Sequence, residues 1–337
     1  MSAVFLPLPW HRPLWQPIAA AVGESRLGHA LLLAGPAGTG KRHFAQCLTA
    51  AIWCRKPLDD SIACGECADC LQVRSEAHSG FHFLRVEEDK RDISIEAVRA
   101  LSEKLQMTTH DGRAKIAIVD PADALNVNGV NALLKTIEEP SPNSHLILIA
   151  ERPQALTATL RSRCQRLRFA VPPSGDALHW LKQNTPPETT DANLDQALSA
   201  AFGAPLRARQ LIESKSLVQH AQWLRHLLDL AAGKGEPLAA AAAIGEGNVA
   251  GFTPWLYGWL TGLLRTRAVP PAANDPALRG LAERLPPALL DRYVAEVQDA
   301  LFRLQTNANK TLLLESLLIG WTGLLARSDR TAQNAAR

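Results

Sequence analysis

The chain lacks a strong charge of either sign. Its 36 basic and 33 acidic side chains leave a formal net charge of +3, too small to argue for nucleic acid by sign alone. It lacks any apolar run near the roughly 20 residues that a membrane span needs. Its start, MSAVFLPLPWHRP, is broken by Pro7, Pro9 and Pro13 and has no basic leader, so a signal peptide is not expected and the cytosol is the expected location. No fixed-period repeat is present, which excludes a solenoid. What remains is a chain of 337 residues, 47% hydrophobic and 20% charged, the composition of a globular protein with two or three domains.

The order of the pattern gives the fold class. His29–Ala34 is a short, wholly apolar run of the buried parallel-strand type. It leads into Gly35-Pro36-Ala37-Gly38-Thr39-Gly40-Lys41 and then a helical face of Phe44, Cys47, Leu48 and Ile52. Further strands are expected at FHFLRVE, at Lys115–Asp120, at LILIA (146–150) and at RLRFAV, separated by helical faces such as Val130, Leu133, Leu134 and Ile137. Alternating strands and helices predict an α/β domain with a parallel sheet over 1–171. After Val171-Pro172-Pro173 no strand pattern follows. Short helices are expected over 172–212, a helical domain over 213–327, and a loose tail over 328–337.

The glycine loop is most of a phosphate-binding P-loop. Gly35, Gly38 and Gly40 free backbone amides to face phosphate, and Lys41 supplies a point charge. Two catalytic parts are missing. The next residue should carry a hydroxyl for Mg²⁺ and is Arg42, which has no acceptor. Asp120 ends its strand as a metal-holding acid should, but Pro121 follows it where a water-orienting carboxylate is needed. Hydrolysis by this chain is not expected. Nucleotide binding by the surviving loop is doubtful, and a purely structural turn is the favoured reading.

Of the six cysteines, Cys54, Cys64, Cys67 and Cys70 crowd together. Three thiols within seven residues and a fourth ten positions earlier predict a closed, structural Zn²⁺ site, and two overlapping C-x-x-C pairs argue against a two-thiol redox couple. His78 and His82 read as surface or packing residues. A second cluster, Arg161, Arg163, Arg166 and Arg168, stays open by its residues alone. It is a solvated strand edge, a contact for nucleic-acid phosphate, or the source of an arginine that acts on a nucleotide.

Taken together, HALLLAGPAGTGK (29–41), the four cysteines, ISIEAVRAL (93–101), NALLKTIEEPSPNSHLILI (131–149) and LRSRCQRLRF (160–169) resemble the AAA+ clamp-loader ATPases of bacterial DNA polymerase III. GAPLRAR (203–209) resembles their lid-domain sensor segment and NANKTLLLESLL (307–318) their last collar helix. The resemblance implies an AAA+ core with a zinc insert at about 54–70, a helical lid, and an all-α collar that holds a five-subunit ring. It implies partnership with tau/gamma and delta subunits, and through the ring with the sliding clamp and primed DNA. It also implies that Arg163 projects into a neighbour's ATP site, with Ser162 and Cys164 fixing its loop and Arg207 at the lid position. Arg42, Pro121 and the Ala150-Glu151 pair, which stands where the first sensor has Thr or Asn, fit a stator whose own site is silent. An autonomous motor-type ATPase is the alternative. On either reading, polymerase activity lies in another subunit.

Overall fold

The structure is a computed structural model, and it describes residues 5–87, 90, 92–107, 113–268, 276–304 and 308–335. By its internal contacts the chain forms two units. The first holds residues 1–183 with Ala204–Arg207; the second holds Asn184–Gly203 and residues 208–337.

The first unit is built on five strands, β1 (Ala30–Ala34), β2 (Phe81–Leu84), β3 (Lys115–Val119), β4 (Ser144–Ala150) and β5 (Gln165–Arg168). They are all parallel and lie in the order β2-β3-β4-β1-β5. This is the parallel α/β sheet, with the glycine loop after its first strand, expected from the sequence. β1 lies next to the central strand β4, with β5 on its other side, and every residue of β1 is buried. That explains its unbroken apolar run, because a parallel strand covered on both faces needs no polar alternation. Leu31, Leu33, Ile116, Ile118, Ile147 and Ile149 share one face with Phe44, Cys47 and Leu48 of helix α2 (Lys41–Trp53), against which α1 (Arg12–Gly23) also packs. Leu32, Ala117, Val119, Leu146 and Leu148 share the other with α4 (Ile95–Gln106) and α5 (Val127–Glu138). A short helix, α3 (Ala68–Arg74), lies between α2 and β2 in the chain. The Ser94 hydroxyl caps α4 by accepting from the Ala97 amide, and the Asn126 side chain caps α5 by accepting from the Gly129 amide.

The arginine loop differs from the plain loop expected. A one-turn helix, α6 (Ala158–Ser162), precedes β5, because the Thr157 hydroxyl accepts from the Leu160 amide and starts a turn.

After β5 the described residues contain no strand. The stretch 172–212, expected as one lid domain, is shared between the two units. In the first unit, Trp180 of α7 (Ser174–Asn184) meets Trp10 edge-on at 5.5 Å, and the Leu206 amide donates to the Gly38 carbonyl. In the second, α8 (Asp191–Ala200) is followed by Phe202, whose ring fills the space above Gly258 and Gly262. Helix α9 (Pro205–Glu213) begins among the residues grouped with the first unit.

The second unit's remaining helices are α10 (Leu217–Ala231), α11 (Pro237–Ile244), α12 (Val249–Ala268), α13 (Pro276–Arg284), α14 (Pro287–Arg303) and α15 (Lys310–Ala335). Their core gathers Trp223, Phe252, Trp255, Trp259, Tyr293 and Trp321. The Trp321 indole donates to the Leu227 carbonyl and the Tyr293 hydroxyl to that of Leu317, so both rings bury without an unmet donor. α15 continues through Ala335, where a loose tail was expected after residue 327. A continuous backbone ladder carries the helix past its last buried turn at Leu324, Leu325 and Ser328. Of the collar stretch 307–318, Asn307 lies outside the described residues. No helix is long and apolar enough to cross a membrane, among the described residues.

Candidate functional site

The P-loop is fixed from three sides by its own chain. A Cβ on Gly35 would stand 2.0 Å from the Phe169 carbonyl oxygen, at the end of β5. Gly38 has a positive φ of 74° and lies against Arg207, where a Cβ would come within 2.7 Å of the arginine's own. Gly40 has φ 95°, and a Cβ there would reach Leu8 and His11. Trp10 Nε1 and His11 Nε2 both donate to the Thr39 carbonyl, at 2.9 and 2.8 Å. His11 is buried and its pKa falls to about 4, because burial disfavours the imidazolium more than the bond to Thr39 supports it.

Lys41 turns back on the loop. Its Nζ donates to the carbonyls of Gly35 and Pro36, each at 2.7 Å. Burial pushes its pKa down, opposed by the carboxylates of Glu151, Asp120 and Asp123. Two of those acids have other partners. Asp120 forms an ion pair with Arg42 Nε at 2.5 Å. Asp123 Oδ2 accepts the amides of Glu151 and Arg152 at 2.8 and 2.9 Å. The acid after β3 is therefore faced by Arg42, the residue next to the P-loop lysine. Burial of the Arg207 guanidinium, opposed by Glu151, lowers its pKa as well.

At the arginine cluster, Arg163 follows α6 as its C-cap. Its side chain is 40% exposed. Its Nε donates to Glu138 Oε1 at 2.6 Å and its Nη1 to the Thr159 carbonyl at 3.2 Å. The Ser162 hydroxyl donates to that same carbonyl. Cys164 is buried among the residues packed under α4 and α5, and burial pushes its thiol up to about 11. Arg166 and Arg168 point outward on either side of the buried Leu167 along β5, an edge strand, which is the solvated-edge arrangement.

The four cysteines converge. The sulfurs of Cys54, Cys64, Cys67 and Cys70 all lie within 4.8 Å of one another, and those of Cys64 and Cys70 are 3.9 Å apart. A tetrahedron with Zn–S bonds near 2.3 Å has edges of about 3.8 Å, so the donor set and its spacing suit a metal ion. Backbone amides point at the sulfurs: the Cys64 amide donates to Cys54 Sγ and the Cys67 amide to Cys64 Sγ. Burial raises the Cys67 thiol, but the Arg55 and Cys70 amides and the neighbouring sulfurs outweigh it and bring it down to about 6. Cys64 is also lowered, chiefly by the Glu66 and Cys67 amides, while burial raises Cys54 and Cys70. His78 is a packing residue, stacked on Trp53 at 3.9 Å, and His82 lies on β2 beside Lys104 and Lys115, whose charges add to burial in lowering its pKa.

Sequence reasoning did not single out Glu138, Asp69, Arg55, Arg113 or His11. Glu138 stood inside the quoted NALLKTIEEP stretch, but nothing in that stretch signals a partner 25 residues away.

Comparison with known proteins matches two stretches of the chain. Residues 10–173 match the family described as DNA polymerase III, delta subunit, and residues 209–323 match its C-terminal counterpart. DNA polymerase III subunit delta' of Pseudomonas aeruginosa is 32% identical over 332 residues, covering 94% of this chain and 97% of that protein. The Escherichia coli subunit delta' is 29% identical, covering 92% and 94%. A tau subunit from Bacillus subtilis is 32% identical over 151 residues, which is 44% of this chain and 26% of that protein. A gamma subunit-related protein of Thermotoga maritima, of known structure, is 14% identical with a TM-score of 0.44, covering 92% and 99%.

Proposed function

The chain belongs to the DNA polymerase III delta-prime subunit family, and from that premise we propose that it is the non-hydrolysing stator of a clamp-loader ring. In this reading it assembles with tau/gamma and delta subunits in the cytoplasm, and the assembly loads the sliding clamp on primed DNA. The chain carries no polymerase chemistry of its own.

One observation carries the silent half of the reading, the ion pair between Arg42 and Asp120. Phosphoryl transfer in P-loop ATPases needs a divalent cation held by a hydroxyl and an acid. Here a guanidinium lies on the acid. Lys41 is hydrogen-bonded to loop carbonyls and Asp123 to backbone amides. The residues present do not fit a Mg²⁺–nucleotide complex. An autonomous ATPase, the alternative, would need Arg42 to leave Asp120.

The active half rests on Arg163. Its guanidinium is exposed, at the end of a helical turn that is tied down on both sides, by Ser162 on the Thr159 carbonyl and by the buried Cys164 thiol. A guanidinium so held can reach a neighbour's nucleotide while its backbone stays put. Its chemical role there is to stabilise charge developing on the transferring γ-phosphoryl group, an effect of about 10³–10⁵-fold in ATPases that use such a residue. Glu138 is the partner it exchanges for that phosphate.

The four cysteines serve as a closed structural Zn²⁺ site. Four thiolates leave a tetrahedral ion no open position for catalysis, so the metal's contribution is to fold the insert. Copurification with the other loader subunits tests the assembly claim; a chain that enters no complex with them would overturn it.

A further inference from the structure

Asp69 stands between two of the four cysteines, on the first turn of α3, and its side chain is only 3% exposed. A carboxylate this buried needs partners, and it has them on every side. Arg55 Nε donates to Oδ2 at 2.6 Å. Arg113 donates through both terminal nitrogens, Nη1 to Oδ1 at 3.0 Å and Nη2 to Oδ2 at 2.8 Å, the forked geometry that fixes direction as well as distance. His78 Nε2 lies 3.5 Å from Oδ1. His78 Nδ1 accepts the Gly80 amide, which leaves Nε2 as the protonated nitrogen facing the acid. Hydrogen bonds from Arg113 hold the Asp69 carboxyl far below the usual carboxylate range, against the opposing effect of burial.

The origin of these partners matters. Cys64, Cys67 and Cys70 are placed by local geometry, a tight turn through Gly65 (φ 75°) into α3, with Cys67 as its N-cap. Cys54 is not local to them; it follows the end of α2, ten positions before Cys64. Arg55 is the residue next to Cys54, so its bond to Asp69 ties the distant ligand's segment to the helix that bears Cys67 and Cys70. Arg113 comes from the approach to β3, and His78 from the approach to β2. Trp53, the residue before Cys54, stacks on His78 and donates through Nε1 to the Ala114 carbonyl. The four sulfurs and the edge of the sheet thus share one polar hub centred on the buried Asp69 carboxylate.

We propose that Asp69 is the positioning residue of the cysteine metal site: by gathering Arg55, Arg113 and His78 it brings Cys54 to the C-x2-C-x2-C segment and anchors the site to the sheet. The inference rests on the zinc reading above. It assigns Asp69 no ligand role. Removing its charge weakens the bond that holds Arg55, loosens the Cys54 segment and leaves three well-placed thiolates.

The test is a Co²⁺ titration of the reduced full-length chain, followed by displacement with Zn²⁺ against a chromogenic chelator. Wild type, Asp69→Asn, Arg113→Lys and, as a stability control, Ile147→Ala in the buried centre of β4 are compared. Wild type is expected to give the intense sulfur-to-cobalt bands of four-thiolate tetrahedral ligation. Asp69→Asn is expected to bind Zn²⁺ about 10–100-fold more weakly, the usual cost of losing a partner behind a ligand set, with weaker charge-transfer bands as Cys54 drops out. Arg113→Lys is expected to move both readouts the same way by less, and it decides the matter alone if Asp69→Asn does not fold. Ile147→Ala is expected to lower the melting temperature with affinity and spectrum unchanged. A wild type without thiolate bands overturns the zinc reading and this inference with it. A wild type that binds, with Asp69→Asn and Arg113→Lys matching it in affinity and spectrum, overturns the inference and leaves the zinc reading standing.

Discussion

Arg42 Nε and Asp120 Oδ2 form an ion pair that joins the start of α2 to the end of β3, 78 positions apart in the chain. The guanidinium is half exposed and the carboxylate is buried, so the pair closes the acid while its cationic partner stays wet. On the proposed reading, a resident cation stands where an ATPase would bind a divalent one. Replacing Arg42 by Ser should therefore create a binding site rather than merely remove a contact. Electron spin resonance of Mn²⁺ with ATP and zinc-loaded chain is expected to show no saturable binding for wild type and binding for Arg42→Ser. Equal Mn²⁺ binding by both would refute the claim that the pair excludes the metal.

The close approach at Gly35 predicts a large structural cost. A Cβ there meets a backbone oxygen at 2.0 Å, and backbone cannot rotate aside. Gly35→Ala is expected to destabilise the first unit by about 3 kcal/mol or more. Gly65→Ala meets nothing within 4 Å but has a positive φ, and should cost only about 1–2 kcal/mol. Hydrogen exchange at the β1 amides separates the two.

Burial of His11 makes stability depend on pH. Its folded pKa is about 4 against an ordinary 6.5, so the unfolded chain binds the extra proton between those values. Stability is then full above about 6.5, falls as the pH drops, and stops falling near 4. The contribution is about 3 kcal/mol from the 2.5-unit difference. His11→Gln is expected to lose less stability between pH 7.5 and 5 than wild type in paired urea titrations; the half-buried His82 and His145, whose pKa values burial also lowers, remain in both and cancel.

Metal removal should read out in the thiols. Cys47 and Cys164 are buried outside the cluster, and Cys54, Cys64 and Cys67 are only half-buried. With zinc bound, a thiol reagent is expected to find no fast-reacting cysteine. After chelation up to four should react, with Cys47 and Cys164 silent until the chain unfolds. Because the ligands must be thiolates, zinc affinity should fall as pH falls. Fast reaction at the cluster of a zinc-loaded chain would contradict the closed site.

What could be read from the sequence was what depends on neighbours in the chain. The buried strands announced themselves through runs such as Leu31–Leu33, and the helices through spacing such as Val130, Leu133 and Ile137. The four cysteines gave their convergence away by spacing. What stayed hidden depends on where the fold returns. Arg42 read as a missing hydroxyl, not as the partner of Asp120. Asp69 drew no notice between two cysteines, although it gathers side chains from residues 55, 78 and 113. Ala158–Ser162 was too short for a helical period to show, and only the Thr157 cap makes it a turn. The division of 172–212 goes with Trp180 meeting Trp10 while Phe202 packs over Gly258 and Gly262, which apolar periodicity does not reveal.

The central claim is that Arg163 acts on a nucleotide held by a neighbour. The measurement is ATP turnover and clamp loading by a complex reconstituted with tau/gamma and delta subunits, with wild-type chain or with Arg163→Ala. The account predicts unchanged assembly, a slowing of about 10³-fold or more at the one ATP site that faces this subunit, and reduced clamp loading. ATPase and loading both unchanged in a fully assembled Arg163→Ala complex would contradict it.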